Sequence, residues 1–319
     1  MDLQKLGGDQ NLMSTIHELP QGIGFIDGAY CARHEMRMPV YDLGFMMADM
    51  TYDAAHVWKG RFFRLEDHLA RWERSISRRR YTTLPYDKEQ VRNVIMECVR
   101  RSGYRDALVY WIATRGVPSD HRRDLRTCQN TFMAWAAPFH WMVPQEQLER
   151  GEGANIYIST VLRTPPESSD PEVKNFARID FSQACLEAYE HGSEYPVLLD
   201  LDGNVTEGRG WNIFALFGGT LLSPDRGVLD GVTRKTVLEL CRLGNIEGKL
   251  GRIKPQDLLK ADELFLATTA GGIMPVTRVN DTVVRKGAVG PVTKRLTEQY
   301  WAMHDDPALN TPVDYDNRS

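Results

Sequence analysis

Five short segments of this chain carry residues whose types and spacing could do chemistry together. In Pro171-Glu172-Val173-Lys174-Asn175, a lysine sits in an apolar-flanked stretch just ahead of an expected helix. Desolvation there favours the neutral amine, a nucleophile toward carbonyl carbon. Thirty-three positions later, Thr206-Glu207-Gly208-Arg209-Gly210-Trp211-Asn212-Ile213-Phe214 places a carboxylate on a glycine-flanked turn entering a strand. A carboxylate so placed can meet a ring nitrogen and hold a proton on it. Leu229-Asp230-Gly231-Val232-Thr233-Arg234 opens a helix whose unpaired N–H groups and positive dipole end suit a phosphate. Thr268-Thr269-Ala270-Gly271-Gly272 follows a strand with hydroxyls and glycines, a backbone that can cradle an anion. Arg71, within His68-Leu69-Ala70-Arg71-Trp72, can grip phosphate bidentately. Taken singly, each has an ordinary reading: a solvated lysine, a strand-turn glutamate, a capped helix, a tight turn, an arginine on a helix surface.

The elements that must position these residues are also visible. Residues 1–20 read as an extended N-terminal arm. Gly24 to Tyr30 reads as a hairpin around Asp27-Gly28, and a second hairpin pairs Tyr52 to Trp58 with Arg61 to Leu65 across Lys59-Gly60. Leu69, Trp72 and Ile76 predict a helix over residues 66–80. Another is expected over 88–102, with Asp87 as N-cap, Val91, Val94, Ile95, Cys98 and Val99 as its apolar face and Gly103 as its stop. Residues 107–114 and 131–137 read as buried strands. Pro138, Pro144 and a Glu-rich stretch place an interdomain linker at 138–153, between a small α/β domain (21–137) and a large α/β domain (154–319). In the large domain, helices are expected over 179–190, 233–243 and 291–304, and strands over 197–201, 211–217 and 263–267. The tail from Asp305 reads as polar and irregular. Two mixed α+β domains are expected.

Composition narrows the function classes. Of 319 residues, 42% are apolar and 26% charged, ordinary for a folded globular chain of two domains. A net charge of −4, with basic and acidic residues interspersed, gives no electrostatic footprint for nucleic acid or an anionic membrane. The five cysteines are widely spaced with no CxxC, which reads as free thiols in a reducing compartment, and no metal site is expected. Neither a leader peptide nor a run of about 18 apolar residues is visible, so a cytoplasmic location is expected.

In chain order, the five segments resemble those of the class IV, fold-type IV pyridoxal-phosphate enzymes. The family's E-G-x-G-x-N-x-F run is matched by Glu207, Gly208, Gly210, Asn212 and Phe214. The lysine segment, the Gly231-Val232-Thr233-Arg234 turn and the Thr268-to-Gly272 turn match as well, and the likeness extends from about Gly24 to His304. The resemblance implies a two-domain, branched-chain/D-amino-acid aminotransferase-like fold and pyridoxal 5′-phosphate as cofactor. It implies Lys174 as the catalytic Schiff-base lysine and Glu207 as partner of the pyridine nitrogen. Arg71, Gly231, Val232, Thr233, Thr268 and Thr269 would surround the phosphate. It further implies transamination between an amine or amino acid and a keto acid or ketone, by a homodimer whose subunits close each other's sites.

Within the family, the sequence is most similar to the (R)-selective amine transaminases. The stretches are Asp42-Leu43-Gly44-Phe45 with Asp49-Met50-Thr51-Tyr52-Asp53, Arg163-Thr164-Pro165-Pro166, and Tyr300-Trp301-Ala302-Met303-His304. That likeness puts Tyr52 in the substrate pocket, with Trp211 and Ala270 beside it, and an (R)-amine or D-configured donor is expected. Met47 stands where the subgroup often has histidine, and the loop from Val117 to Arg126 departs from its pattern. Arg122, Arg123 or Arg126 is expected to hold a substrate carboxylate. A branched-chain L-amino-acid or D-amino-acid aminotransferase is the alternative, and an aminodeoxychorismate-type lyase a further one.

Overall fold

The computed structural model describes residues 21–120 and 123–316. The expected arm over residues 1–20, Arg122 and the last three residues lie outside the described residues. The first sheet begins with β1 (Ile23–Ile26), β2 (Ala29–Ala32), β3 (Met50–Trp58), β4 (Arg61–Phe63), β5 (Ala107–Pro118) and β6 (Cys128–Pro138). Both predicted hairpins form. Asp27 and Gly28 take φ of 53° and 79°, and Lys59 and Gly60 take 49° and 78°, the left-handed pair that a two-residue type I′ turn requires. Beside this sheet lie α1 (Leu43–Met47), α2 (Leu65–Arg78) and α3 (Lys88–Ser102). Asp87 caps α3 by accepting from the Gln90 N–H while the Gln90 side chain returns the bond, and Gly103 ends it in the left-handed region. Trp72 of α2 and Val91 and Ile95 of α3 pack on Trp111 and Phe132 of the sheet as one core.

After the short α4 (Gln145–Glu149), the chain builds a second sheet of nine strands. These are β7 (Ala154–Leu162), β8 (Tyr195–Leu199), β9 (Glu207–Gly208), β10 (Trp211–Phe217), β11 (Thr220–Pro224), β12 (Glu247–Gly251), β13 (Glu263–Thr268), β14 (Gly272–Val279) and β15 (Thr282–Val283). Antiparallel β10, β13 and β14 form its centre, while β7 and β12 pair in parallel with their neighbours. Its helices are α5 (Ile179–Glu190), α6 (Val232–Leu243), α7 (Pro255–Leu258) and α8 (Pro291–Ala302). The tail departs from the expected division. Strand β16 (Asn310–Pro312) pairs with β4, and Val313 is buried in the first core. The chain therefore returns to the small unit instead of ending as an irregular tail of the large one. A three-residue edge strand ending in proline has no periodicity to betray it. Phe63 of β4 packs with Phe214, Phe265 and Tyr300, so the two units share an apolar seam.

Candidate active site

Lys174 sits where the two units meet, and its backbone is held by the first sheet. Its carbonyl accepts from the Tyr52 N–H at 2.9 Å and from the Thr51 hydroxyl at 2.8 Å, which ties the lysine segment to the start of β3. The side chain is 9% exposed and forms no ion pair with a carboxylate among the described residues. Its Nζ lies 4.6 Å from the centre of the Tyr52 ring. Burial pushes the Lys174 amine below its ordinary pKa, with Arg71 and Arg178 adding to the shift and Tyr52 and Asp53 opposing it. The neutral amine that Schiff-base chemistry needs is thus favoured by this site.

Glu207, on β9, faces the same space. Its Oε2 accepts from the Leu229 N–H at 2.8 Å and from the Asn212 amide at 3.2 Å, and Arg163 approaches Oε1 at 3.4 Å. Arg163 also donates to Asp180 at 2.7 Å. Burial raises the Glu207 pKa, while Arg163, Arg178 and the Leu229 N–H pull against it. A buried carboxylate whose proton affinity is raised in this way suits a protonated ring nitrogen.

The third part is an anion seat. Asp53 holds Arg71 bidentately, with Nε to Oδ2 at 2.8 Å and Nη2 to Oδ1 at 2.7 Å, and His68 Nδ1 lies 2.9 Å from the same carboxylate. Burial alone would raise the Asp53 pKa, but the Arg71 charge and hydrogen bonds outweigh it and hold it well below the usual carboxylate range. The outer nitrogen of Arg71 turns toward the Asp230 carbonyl at 3.4 Å, beside the start of α6. A Cβ at Gly231 would lie 2.2 Å from the Asn212 side-chain oxygen, so a side chain there would push Asn212 off Glu207 and the Leu229 carbonyl. Opposite it, the Thr268 hydroxyl donates to the Gly210 carbonyl at 2.9 Å and accepts from the Ala270 N–H, which fixes the Thr268-Thr269 turn.

These residues line one open pocket. Arg71, Lys174, Glu207, Trp211, Gly231, Val232, Thr233, Thr268 and Thr269 all line it, so the sequence-predicted cofactor set converges on one space. The donor set defines what fits. One end offers a guanidinium, a helix N-terminus and hydroxyls to an anion, the middle offers an amine, and the far end offers a carboxylate. A phosphorylated pyridine aldehyde has those three features in that order, and these residues suit it.

The remaining expectations fare differently. Tyr52 meets Lys174 directly. Ala270 is buried behind the pocket, its carbonyl accepting from the Met142 N–H, and is not on the wall. Met47 ends α1 with 59% of its surface exposed, away from this pocket. Arg126, with its side chain 89% exposed, forks onto Asp124 of its own loop and does not line this pocket. Arg123 lines a separate hollow with Tyr41, Leu43 and Met46. Arg122 lies outside the described residues. Three residues that sequence reasoning gave no role belong to the site: Asp53, which orients Arg71; Arg163, which charges the Glu207 environment; and Arg178, on the pocket wall. Asp53 and Arg163 fall inside motifs already conspicuous in the sequence, whereas nothing about Arg178 marks it.

The comparisons agree with this geometry. The profile of the family described as Amino-transferase class IV matches residues 50–279. A protein named "Putative branched-chain-amino-acid aminotransferase" from Methanocaldococcus jannaschii is 30% identical over 86% of this chain and 94% of its own length. The D-alanine aminotransferase of Staphylococcus haemolyticus is 26% identical over 86% of this chain and 95% of its own. Among solved structures, a T.th. branched-chain amino acid aminotransferase with pyridoxamine 5′-phosphate superimposes with a TM-score of 0.85 at 25% identity, covering 92% of this chain and 99% of that one. The chain belongs to the class IV aminotransferases and has their two-sheet fold. It is accordingly an enzyme dependent on pyridoxal 5′-phosphate.

Proposed function

We propose that this enzyme transfers an amino group from an (R)-amine or D-configured donor to a keto acid or ketone, with Lys174 as its catalytic base and cofactor-binding amine. The observation that carries the reading is the buried, carboxylate-free Lys174 set between an anion seat and Glu207. When bound, pyridoxal phosphate supplies an aldehyde that combines with amines and a ring that accepts electrons. Arg71, the Val232 and Thr233 N–H groups and the Thr268-Thr269 turn would hold its phosphate. Glu207 would keep a proton on the ring nitrogen. With the donor's amine held in this pocket, the Lys174 Nζ would take the proton from the donor Cα and return it two atoms along, to the former aldehyde carbon. Tyr52, within reach of Nζ, would orient that amine and wall the donor.

The donor preference rests on the likeness of the Asp42-to-Asp53, Arg163-to-Pro166 and Tyr300-to-His304 stretches to the (R)-selective amine transaminases. Within one subunit, Arg126 pairs with Asp124 and Arg123 lines another hollow. The names of the relatives favour a second reading, a branched-chain L-amino-acid or D-amino-acid aminotransferase. Single-turnover reactions with (R)-1-phenylethylamine, D-alanine and L-leucine, followed by the visible band of the loaded enzyme, separate these. Bleaching by the amine and by D-alanine is expected; bleaching by L-leucine alone would overturn the donor assignment.

The reading includes a cytoplasmic homodimer. No helix among the described residues is long and apolar enough to cross a membrane. Val40, Tyr41, Phe45 and Met47 expose an apolar surface around α1 that a second copy would cover.

A further inference from the structure

Two guanidinium groups line the Lys174 pocket, and they differ in charge balance. Arg71 is clamped by Asp53, whereas Arg178 forms no ion pair with a carboxylate among the described residues. Its Nε donates to the Asn175 carbonyl at 2.6 Å. Its Cζ lies 5.6 Å from the centre of the Tyr52 ring and 5.5 Å from that of Phe181. Phe181 also carries Arg163 at 4.5 Å, yet Arg163 is matched by Asp180 and Glu207. Among the described residues, Arg178 leaves a half-buried guanidinium beside the pocket whose outer N–H groups meet no acceptor. Such a group is an anion receptor.

Which anion it meets follows from the three anchors of the functional reading above, on which this inference rests. Those anchors put the phosphate arm at Arg71 and α6, the ring nitrogen at Glu207 and the aldehyde carbon at Lys174. On pyridoxal phosphate the aldehyde carbon is flanked by the carbon bearing the phosphate arm and by the carbon bearing the ring hydroxyl. The hydroxyl edge therefore runs between the Lys174 end and the Glu207 end, on the side away from the phosphate. Arg178 acts electrostatically on Lys174, Tyr52 and Glu207, while the charges acting most on Arg71 and Asp53 belong to other groups. We propose that Arg178 is the counter-cation of the cofactor's ring 3-oxygen, and that its charge sets the acidity of the nitrogen Lys174 contributes.

Several other charges face that nitrogen. Tyr52 and Asp53 reach it from β3, Arg71 from α2, and Glu207 from β9. Arg178 is the one of the lysine's own segment. Removing a nearby positive charge makes the protonated form easier to keep, so the titration midpoint moves up.

The test is a pH titration of the cofactor-loaded enzyme, read by its visible absorbance, together with the dissociation constant for pyridoxal phosphate. Arg178→Met keeps the aliphatic stem over Tyr52 without the charge, and Arg178→Gln is a second neutral variant should the first fail to fold. Either neutral variant should raise the midpoint by about one pH unit or more and weaken cofactor binding. Arg178→Lys should restore most of the midpoint. A neutral variant with the parental midpoint and cofactor affinity would overturn the proposal. So would an unmoved midpoint with a Michaelis constant raised only for donors bearing a carboxylate, which would make Arg178 a substrate receptor. Lys174→Ala reports on the underlying reading separately: if it keeps a pH-dependent visible band, the site assignment fails whatever Arg178 does.

Discussion

The chemistry of this site rests on how individual side chains are charged. Asp53 is the clearest case, because it balances Arg71 in a place where an unpaired charge is costly. Asp53→Asn should destabilise the cofactor-free protein by about 3 kcal/mol, since Arg71 then lacks its partner. A bound phosphate restores that balance, so added cofactor should raise the melting temperature of the variant by more than it raises that of the parent. Equal increments in a thermal melt would show that Arg71 does not face the phosphate. A different residue-scale effect comes from the His56–His304 contact, where the two Nε2 atoms lie 2.7 Å apart inside an aromatic cluster. Burial lowers the His304 pKa to about 4 and holds His56 well below its ordinary value. A histidine depressed in the folded state binds its proton first in the unfolded chain. Folding stability therefore falls as the pH drops from about 6.5 toward about 4 and is level above that window. Denaturant midpoints for the parent and His304→Gln should converge as the pH is lowered across this range; parallel curves would contradict the assignment.

At the scale of elements, the phosphate end depends on a turn where a side chain would displace Asn212. Gly231 precedes α6, and a Cβ there would press on the Asn212 oxygen, which belongs to the same network as Glu207. Gly231→Ala should weaken cofactor binding roughly tenfold, about 1.4 kcal/mol, by displacing both the helix start and Asn212. Unchanged affinity in a fluorescence titration would place the phosphate elsewhere. Much at this scale was legible in the sequence. The capped α3, the two Asp-Gly and Lys-Gly hairpins and the glycine turns announce themselves by residue type, because their backbone conformations admit few alternatives. What escaped reading was pairing across long separations. Nothing in the sequence near Lys174 says that its carbonyl is held by Tyr52 and Thr51. Nor does the tail announce that Asn310–Pro312 joins β4. The roles of Asp53 and Arg163 emerge only once β3 lies along α2 and the end of β7 lies beside β9. The loop arginines show a complementary limit: their charge and position suggest a ligand, and only the fold shows Arg126 paired with Asp124 of its own loop.

The whole molecule brings two sheets together so that the first positions Lys174 and Arg71 while the second supplies Glu207 and both phosphate-side turns. Neither unit alone contains the pocket. The same architecture leaves Tyr41 and Phe45 exposed on α1 and the segment before it, 61% each. If a second copy covers them, the double variant Tyr41→Asp, Phe45→Asp should shift the protein to a monomer by light scattering, with activity reduced. A parental dimer that tolerates both charges would place the interface on another face. The most direct test of the molecule's chemistry is reduction of the cofactor-supplied enzyme with borohydride, followed by peptide mapping. The phosphopyridoxyl mass should appear on the peptide containing Lys174 and disappear in Lys174→Ala. Label on any other lysine, or none on this one, would contradict the central claim.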